Sequence, residues 1–176
     1  MAKGCLEKLT GNILTTCDLT SPGVSDIYLM YSTDVTFTFS NSNARIETVT
    51  FATGTKSYRI EGYKQNIQIN VSLRTTDASS RHDVSVAFKV PENQAFFGNR
   101  ILSGRFYVLE VPKGVGTPTF NVWGVNSPLE CSNIEYDSNA NSRLVTYTLT
   151  APEGSAGNNR VTCLTQTRDS IIAKSV

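Results

Sequence analysis

One histidine and one tryptophan are all that the 176-residue sequence holds of those two residue types. A Ser-His-Asp or Cys-His arrangement would therefore have to use His82, which sits beside Asp83 with Ser79 and Ser80 just before it. Neighbours along a strand point to opposite faces, so this order does not assemble a triad, and His82 reads as an exposed loop residue. Cysteine is sparse as well. Cys5, Cys17, Cys131 and Cys163 form no CxxC pair, which excludes a zinc site of ordinary Cys/His spacing. The four read as small apolar thiols, and whether any of them pair stays open.

Charge of one sign is also missing. Sixteen Lys and Arg against fifteen Asp and Glu leave a formal net charge of +1. Broad phosphate-driven binding of nucleic acid needs a basic surplus, and a nearly neutral surface does not hold copies of a protein apart. No apolar run approaches the roughly 20 residues of a membrane span. The opening MAKGCLEKLTGNILTTC has no apolar core or small-residue cleavage site of a secretory signal, so the chain is expected to start at its natural Met and to stay in the cytoplasm where it is made.

Searches for other chemistry return little. Glu130 and Glu135, with Asp137 nearby, are the best carboxylate pair for glycoside hydrolysis, but their odd spacing sets the two glutamates on opposite faces of a regular strand. The glycines mark turns and cradle no phosphate, and the residues around Asp77 lack the spacing of a calcium loop. Asn70-Val71-Ser72 fits a glycosylation acceptor and reads as strand. No enzymatic activity, cofactor or metal is expected.

What the sequence does have is period-two alternation. Asp26–Ser32, Asp34–Ser40, Arg45–Phe51 and Ser57–Glu61 read as strands, with Thr53-Gly54-Thr55 as a tight turn. The clearest pattern is Gln65–Arg74, where Ile67, Ile69, Val71 and Leu73 alternate with Gln68, Asn70, Ser72 and Arg74. Asp83–Val90 answers it across the polar connection Thr75–His82, which predicts a long antiparallel hairpin. Arg105–Val111 and Thr119–Val125 form a second pair, and Leu129–Tyr136, Leu144–Thr150 and Arg160–Thr167 follow between polar turn segments. Short helices are expected only around Leu6–Leu14 and Phe96–Leu102. Trp123 fits an interface anchor or the core equally.

Short one-faced strands punctuated by turns imply an all-β fold, an antiparallel β-sandwich or partly closed barrel with one or two short helices. No linker or composition shift divides the chain, so residues 1–176 are expected to form one domain.

Cys5-Leu6, Gly11-Asn12-Ile13, Cys17-Asp18 and the run Pro22-Gly23-Val24-Ser25-Asp26-Ile27-Tyr28-Leu29 resemble the opening of tail-tube-like virion proteins from phages of Bacteroides and relatives (the crAss-like phages). Val122–Pro152, with Ser127-Pro128-Leu129 and Leu144–Leu149, is similar to that group's end. The resemblance spans about two thirds of the chain, and Glu92–Gly104 departs from the pattern. It implies a β-sandwich or barrel of the phage tail-tube type, copied into a closed homo-oligomeric ring. Such a ring would sit in a phage tail or head–tail connector, against adjacent tail, connector or portal proteins. It lets the phage DNA pass without holding it and touches no membrane; the protein is then made in the bacterial host cytoplasm and resides in the virion tail. Contacts between subunits or rings are expected from Thr75, Asp77, Ser79, Arg81 and His82 at the hairpin tip, from Phe96 and Phe97, and from the N-terminal segment 1–22. Alternatives are a capsid decoration or head-fibre base protein and a carbohydrate-binding adhesin sandwich, which calls for an exposed aromatic platform. Copy number, position along the tail and the face that lines the lumen stay open.

Overall fold

Alternating apolar residues can bury one face of a strand only if the strands pair, and the chain resolves this in one sheet. The computed structural model describes residues 23–40, 45–62, 66–76, 79–92, 101–113, 119–136, 143–152 and 161–176. The N-terminal contact segment, the helix expected at Leu6–Leu14, Asp77, Phe96 and Phe97 lie outside the described residues. Eleven strands are described: β1 (Val24–Tyr31), β2 (Val35–Phe39), β3 (Arg45–Phe51), β4 (Tyr58–Glu61), β5 (Ile67–Thr76), β6 (Ser79–Pro91), β7 (Arg105–Pro112), β8 (Thr119–Trp123), β9 (Leu129–Tyr136), β10 (Leu144–Thr150) and β11 (Val161–Leu164). A helix, α1 (Thr165–Ile172), follows β11 directly. The fold is all-β, and every described strand belongs to a single mixed sheet. The expected purely antiparallel pattern needs one correction. β11 pairs β3 in parallel, Thr162 beside Arg45 and Cys163 beside Ile46; it enters between β3 and β8, far from β3 in the chain and not through a hairpin.

The sheet forks at β7. One edge of β7 carries β1 along nearly its whole length, from Val24 opposite Pro112 to Tyr31 opposite Phe106. The other edge is shared. Leu129 and Glu130 of β9 pair with Phe106 and Arg105, whereas Asn121–Trp123 of β8 pair with Glu110–Val108. β8 and β9 therefore lie end to end beside one strand and then diverge. From β9 the sheet continues through β10 and β6 to β5; from β8 it continues through β11 and β3 to β2. Gly124, at φ +84°, makes the turn between them; a Cβ there would stand 2.9 Å from the Phe106 carbonyl oxygen, so the fork needs a residue with no side chain.

Each branch encloses its own core. Ile27 and Leu29 of β1 face Val84, Val86, Phe88, Phe106, Val108, Leu129, Tyr147 and Leu149. Tyr28 and Met30 face the opposite way, onto Val35, Ile46, Leu109, Phe120, Val122, Cys163 and Ile171. β1 is thus buried on both faces, which explains its unbroken apolar run Ile27–Met30. Phe88 and Tyr147 stack with ring centroids 5.5 Å apart in the first core.

The C-terminal end corrects a second expectation. Arg160–Thr167 was read as one strand, but β11 ends at Leu164 and α1 begins at Thr165. The helix buries Ile171 and Thr167, and Thr167 Oγ1 donates to the Glu47 carbonyl at 2.7 Å. Buried Ser57 pins the segment that follows: its Oγ donates to the Ile171 carbonyl at 2.8 Å, and its backbone bridges Lys174 and Val176. Of the expected Phe96–Leu102 helix, only Ile101 and Leu102 are described; both are helical, and Ile101 packs into the first core.

Candidate assembly surface

The β5–β6 hairpin is longer than its sequence pattern implies. Its ladder runs from Ile67 opposite Phe88 to Thr76 opposite Ser79, so only two residues of the sequence separate the paired strands. The polar connection Thr75–His82 is thus mostly strand: Thr75 lies across from Ser80, Ser79 from Thr76, Arg81 from Arg74 and His82 from Leu73. Polar residues extend a ladder readily when both faces meet water, so polarity alone did not mark the end of the strand. His82 is exposed, as expected, but on a strand.

The neighbouring strand stops sooner. β10 pairs β6 only from Pro91 to Ser85. Among the described residues no third strand pairs the hairpin beyond Ser85, where Ser72–Thr76 pairs with Ser79–Asp83. This two-stranded arm is about five residues long on each side, or roughly 17 Å at 3.3 Å per residue. The alternation of β5 runs into it without a break. Ile67 is buried and Ile69 packs against the first core, but Val71 is 48 % exposed and Leu73 61 %. The other face carries exposed Gln68, Asn70 and Ser72.

From Ile67 to Leu73 the edge strand holds no charged residue. Natural sheets blunt open edges with charge, proline or bulges. β4, which also pairs a single strand, follows that rule: Arg59 Nε donates to Asp26 Oδ1 at 2.8 Å, and Glu61 stands beside the same guanidinium. The bond to Asp26 and its negative charge push the Arg59 pKa upward. On β5 the one charged residue is Arg74, across from Arg81 near the end of the arm, and none stands beside Val71 in the stretch before it. Sequence reasoning placed the contact at the polar tip and missed Val71 and Leu73, although their place in the alternation was plain. The missing information was where β10 ends.

Other candidate groups find structural work. Trp123 is buried, and its Nε1 donates to Glu110 Oε2 at 2.8 Å, an acceptor shared with Asn121 Nδ2 at 3.0 Å; this residue belongs to the core. The Glu130 and Glu135 reading is corrected by a bulge. The register of β9 against β10 shifts at Ser132, so Glu130 faces Thr150 and Glu135 faces Thr146, and both glutamates lie on the outer face. They remain apart in role: Glu130 pairs with Arg105, and Glu135 accepts from Asn133 Nδ2 at 2.9 Å. Cys163 is buried in the second core and Cys131 is partly buried; both are free thiols, and burial pushes both pKa values up, Cys163 to about 11. Among the described residues no three His, Cys, Asp or Glu side chains cluster as metal ligands, and no helix is long and apolar enough to cross a membrane. No protein family model, curated protein or solved structure matches the chain.

Proposed function

We propose that this protein is a structural subunit of a phage tail or head–tail connector, which works by joining copies of itself into a closed ring through which the genome passes. The observation that carries the reading is the arm. An isolated two-stranded ribbon is marginally stable in water, and this one holds two large apolar side chains, Val71 and Leu73, in solvent. Such an element makes physical sense when another surface completes it. The resemblance of Cys5–Leu29 and Val122–Pro152 to tail-tube-like virion proteins supplies the phage setting, and the net charge of +1 suits a channel that must release DNA. On this reading the run β4-β1-β7-β9-β10-β6-β5 around the first core is a partly closed barrel of the tail-tube type. A capsid decoration or head-fibre base protein would use the same kind of contact, and its location in the particle separates the two.

The test is the state of the purified protein. Light scattering coupled to size exclusion, followed by negative-stain imaging, is expected to give ring-shaped multiples of the 19.2 kDa chain. A monomer at every concentration, absent from purified particles, would overturn the proposal.

A further inference from the structure

Where β11 ends, the chain leaves the sheet as α1 and meets strand backbone again at Ser57, which Ser175 bridges in parallel. The helix has little of its own to hold it. Eight residues fall short of the roughly 12–15 that an isolated helix needs in water. Thr165 and Thr167 are β-branched, and Leu164 at the N-cap position provides no side-chain bond. Arg168 stands in the first turn, where the helix dipole disfavours a cation. What holds α1 is tertiary. Its buried residues are Thr167 and Ile171. Thr167 Oγ1 donates to the Glu47 carbonyl of β3, Ile171 enters the second core, and the Arg168 guanidinium lies 4.3 Å from the centre of the Phe120 ring.

The tail after α1 is tied to one residue. Ala173, Lys174 and Ser175 donate their N–H groups back to the carbonyls of Asp169, Ile171 and Ile172. Ser57 makes the link outward. Its N–H donates to the Lys174 carbonyl at 3.1 Å, its carbonyl accepts from Val176 N–H at 3.2 Å, and its Oγ donates to the Ile171 carbonyl at 2.8 Å. Ser57 is fully buried and leads into β4, whose Tyr58 and Ile60 pack against the first core. The helix thus rests on the second core while its tail hangs on the entrance to a strand of the first. β11 differs, because it lies between β3 and β8 and cannot leave without breaking two ladders.

We infer that residues 165–176 form a strap that opens as one piece about Thr165 while the sheet stays folded, with Ser57 as its clasp. Segments with few buried apolar contacts supply the low-energy openings of a folded chain. The clasp makes this opening all-or-none. Hydroxyl, N–H and carbonyl of buried Ser57 all find their partners in the strap, so partial release would strand polar groups in a buried place. One motion uncovers the second core and frees the entrance to β4, which couples the two branches with their ladders intact. The inference does not depend on how copies associate.

Hydrogen exchange resolved to single amides, under conditions where it reports the opening equilibrium, tests it on the full chain. The amides of Ala173, Ser175, Val176 and Ser57 are expected to share one protection factor, at least tenfold below that of the β1–β7 ladder. Thr167→Val removes the hydroxyl and keeps most of the shape; it should speed all four amides by one common factor of about ten. Ser57→Ala should do the same. Val145→Ala, in the first core, weakens the sheet and not the strap. It should speed the β1–β7 amides at least fivefold and leave those four at wild-type rates. If Val145→Ala speeds the four as much as the ladder, the strap opens only when the whole sheet unfolds, and the inference falls. It falls equally if Thr167→Val quickens Ala173 but not Ser57 and Val176, because helix and tail then fray separately.

Discussion

The fork at β7 makes a quantitative claim about one glycine. Gly124 and Gly54 both adopt left-handed backbone, at φ +84° and +81°. Alanine at either position meets the cost of that conformation, about 1 kcal/mol, and regains some of it through a less mobile unfolded chain, roughly 0.4–1 kcal/mol. The difference lies in what the new methyl group would touch. At Gly54, in the turn after β3, nothing stands within 4 Å. At Gly124 the Cβ falls 2.9 Å from the Phe106 carbonyl oxygen and 3.2 Å from Leu129 Cγ. The oxygen belongs to the backbone of β7, which β1 and β9 hold from either side at Phe106, so it cannot retreat without opening the ladder. Overpacking of this kind costs about 1–3 kcal/mol. Gly124→Ala is therefore expected to lose about 1–3.5 kcal/mol and Gly54→Ala no more than about 0.6. Urea denaturation followed by far-ultraviolet circular dichroism measures both, with equal m-values required for the comparison. At about 2–4 °C per kcal/mol for a chain of this length, the two melting temperatures should separate visibly. If the two variants agree within about 0.5 kcal/mol, the fork is not the tight junction described.

Two further outcomes follow from buried groups. Burial raises the Cys163 thiol from its ordinary 9.0 to about 11 and raises the phenols of Tyr28, Tyr107 and Tyr147 in the same direction. The folded state thus holds these protons more tightly than the unfolded one, and the stability linked to Cys163 is complete below pH 9 and lost as pH rises from 9 through 11. Two pH units correspond to roughly 2–3 kcal/mol, so urea midpoints should fall steeply across that window in the wild type and less steeply in Cys163→Ala; parallel curves would contradict the assignment. Glu110→Ala strands the Trp123 indole and the Asn121 amide without their acceptor and is expected to cost about 2–3 kcal/mol, with a shifted emission from the single tryptophan. Glu110→Gln keeps an acceptor oxygen and should cost less, and equal losses in the two variants would refute the shared bond.

Strand positions were legible because period-two alternation survives in almost every element. Val145, Tyr147 and Leu149 of β10 are buried, and the threonines between them are not. β1 was legible as a strand, but nothing in Ile27–Met30 says that its two faces serve different cores; that depends on β7, some eighty residues later. The helix was missed for a physical reason. Thr165-Gln166-Thr167-Arg168 carries β-branched residues and no side-chain cap, with Leu164 at the N-cap position, so local preference favours a strand. Packing of Ile171 against the second core and the Thr167 bond to β3 override it. The glutamate pair failed through parity, since one bulged residue at Ser132 reverses the face of everything after it. The candidate contact residues failed in a similar way: polarity drew attention to the hairpin's last residues, and the exposed apolar pair two rows earlier became visible only where β10 stops.

The same geometry constrains how an assembly built on the arm must behave. The strands of the arm are two residues apart in the chain, so their pairing is local, whereas the fork needs β7 to meet both β8 and β9 before it exists. An arm with no third strand gains little order until a partner covers it, and ordering on contact takes part of the free energy that contact releases. Each contact made through the arm should therefore be weak alone. Closed assemblies overcome this because a copy held at several contacts sees the remaining ones at high effective concentration. Association should thus rise abruptly with concentration, with few small intermediates. Stable small intermediates over a wide concentration range would mean that the arm is rigid before it binds, contrary to a ribbon that, among the described residues, only β5 and β6 build.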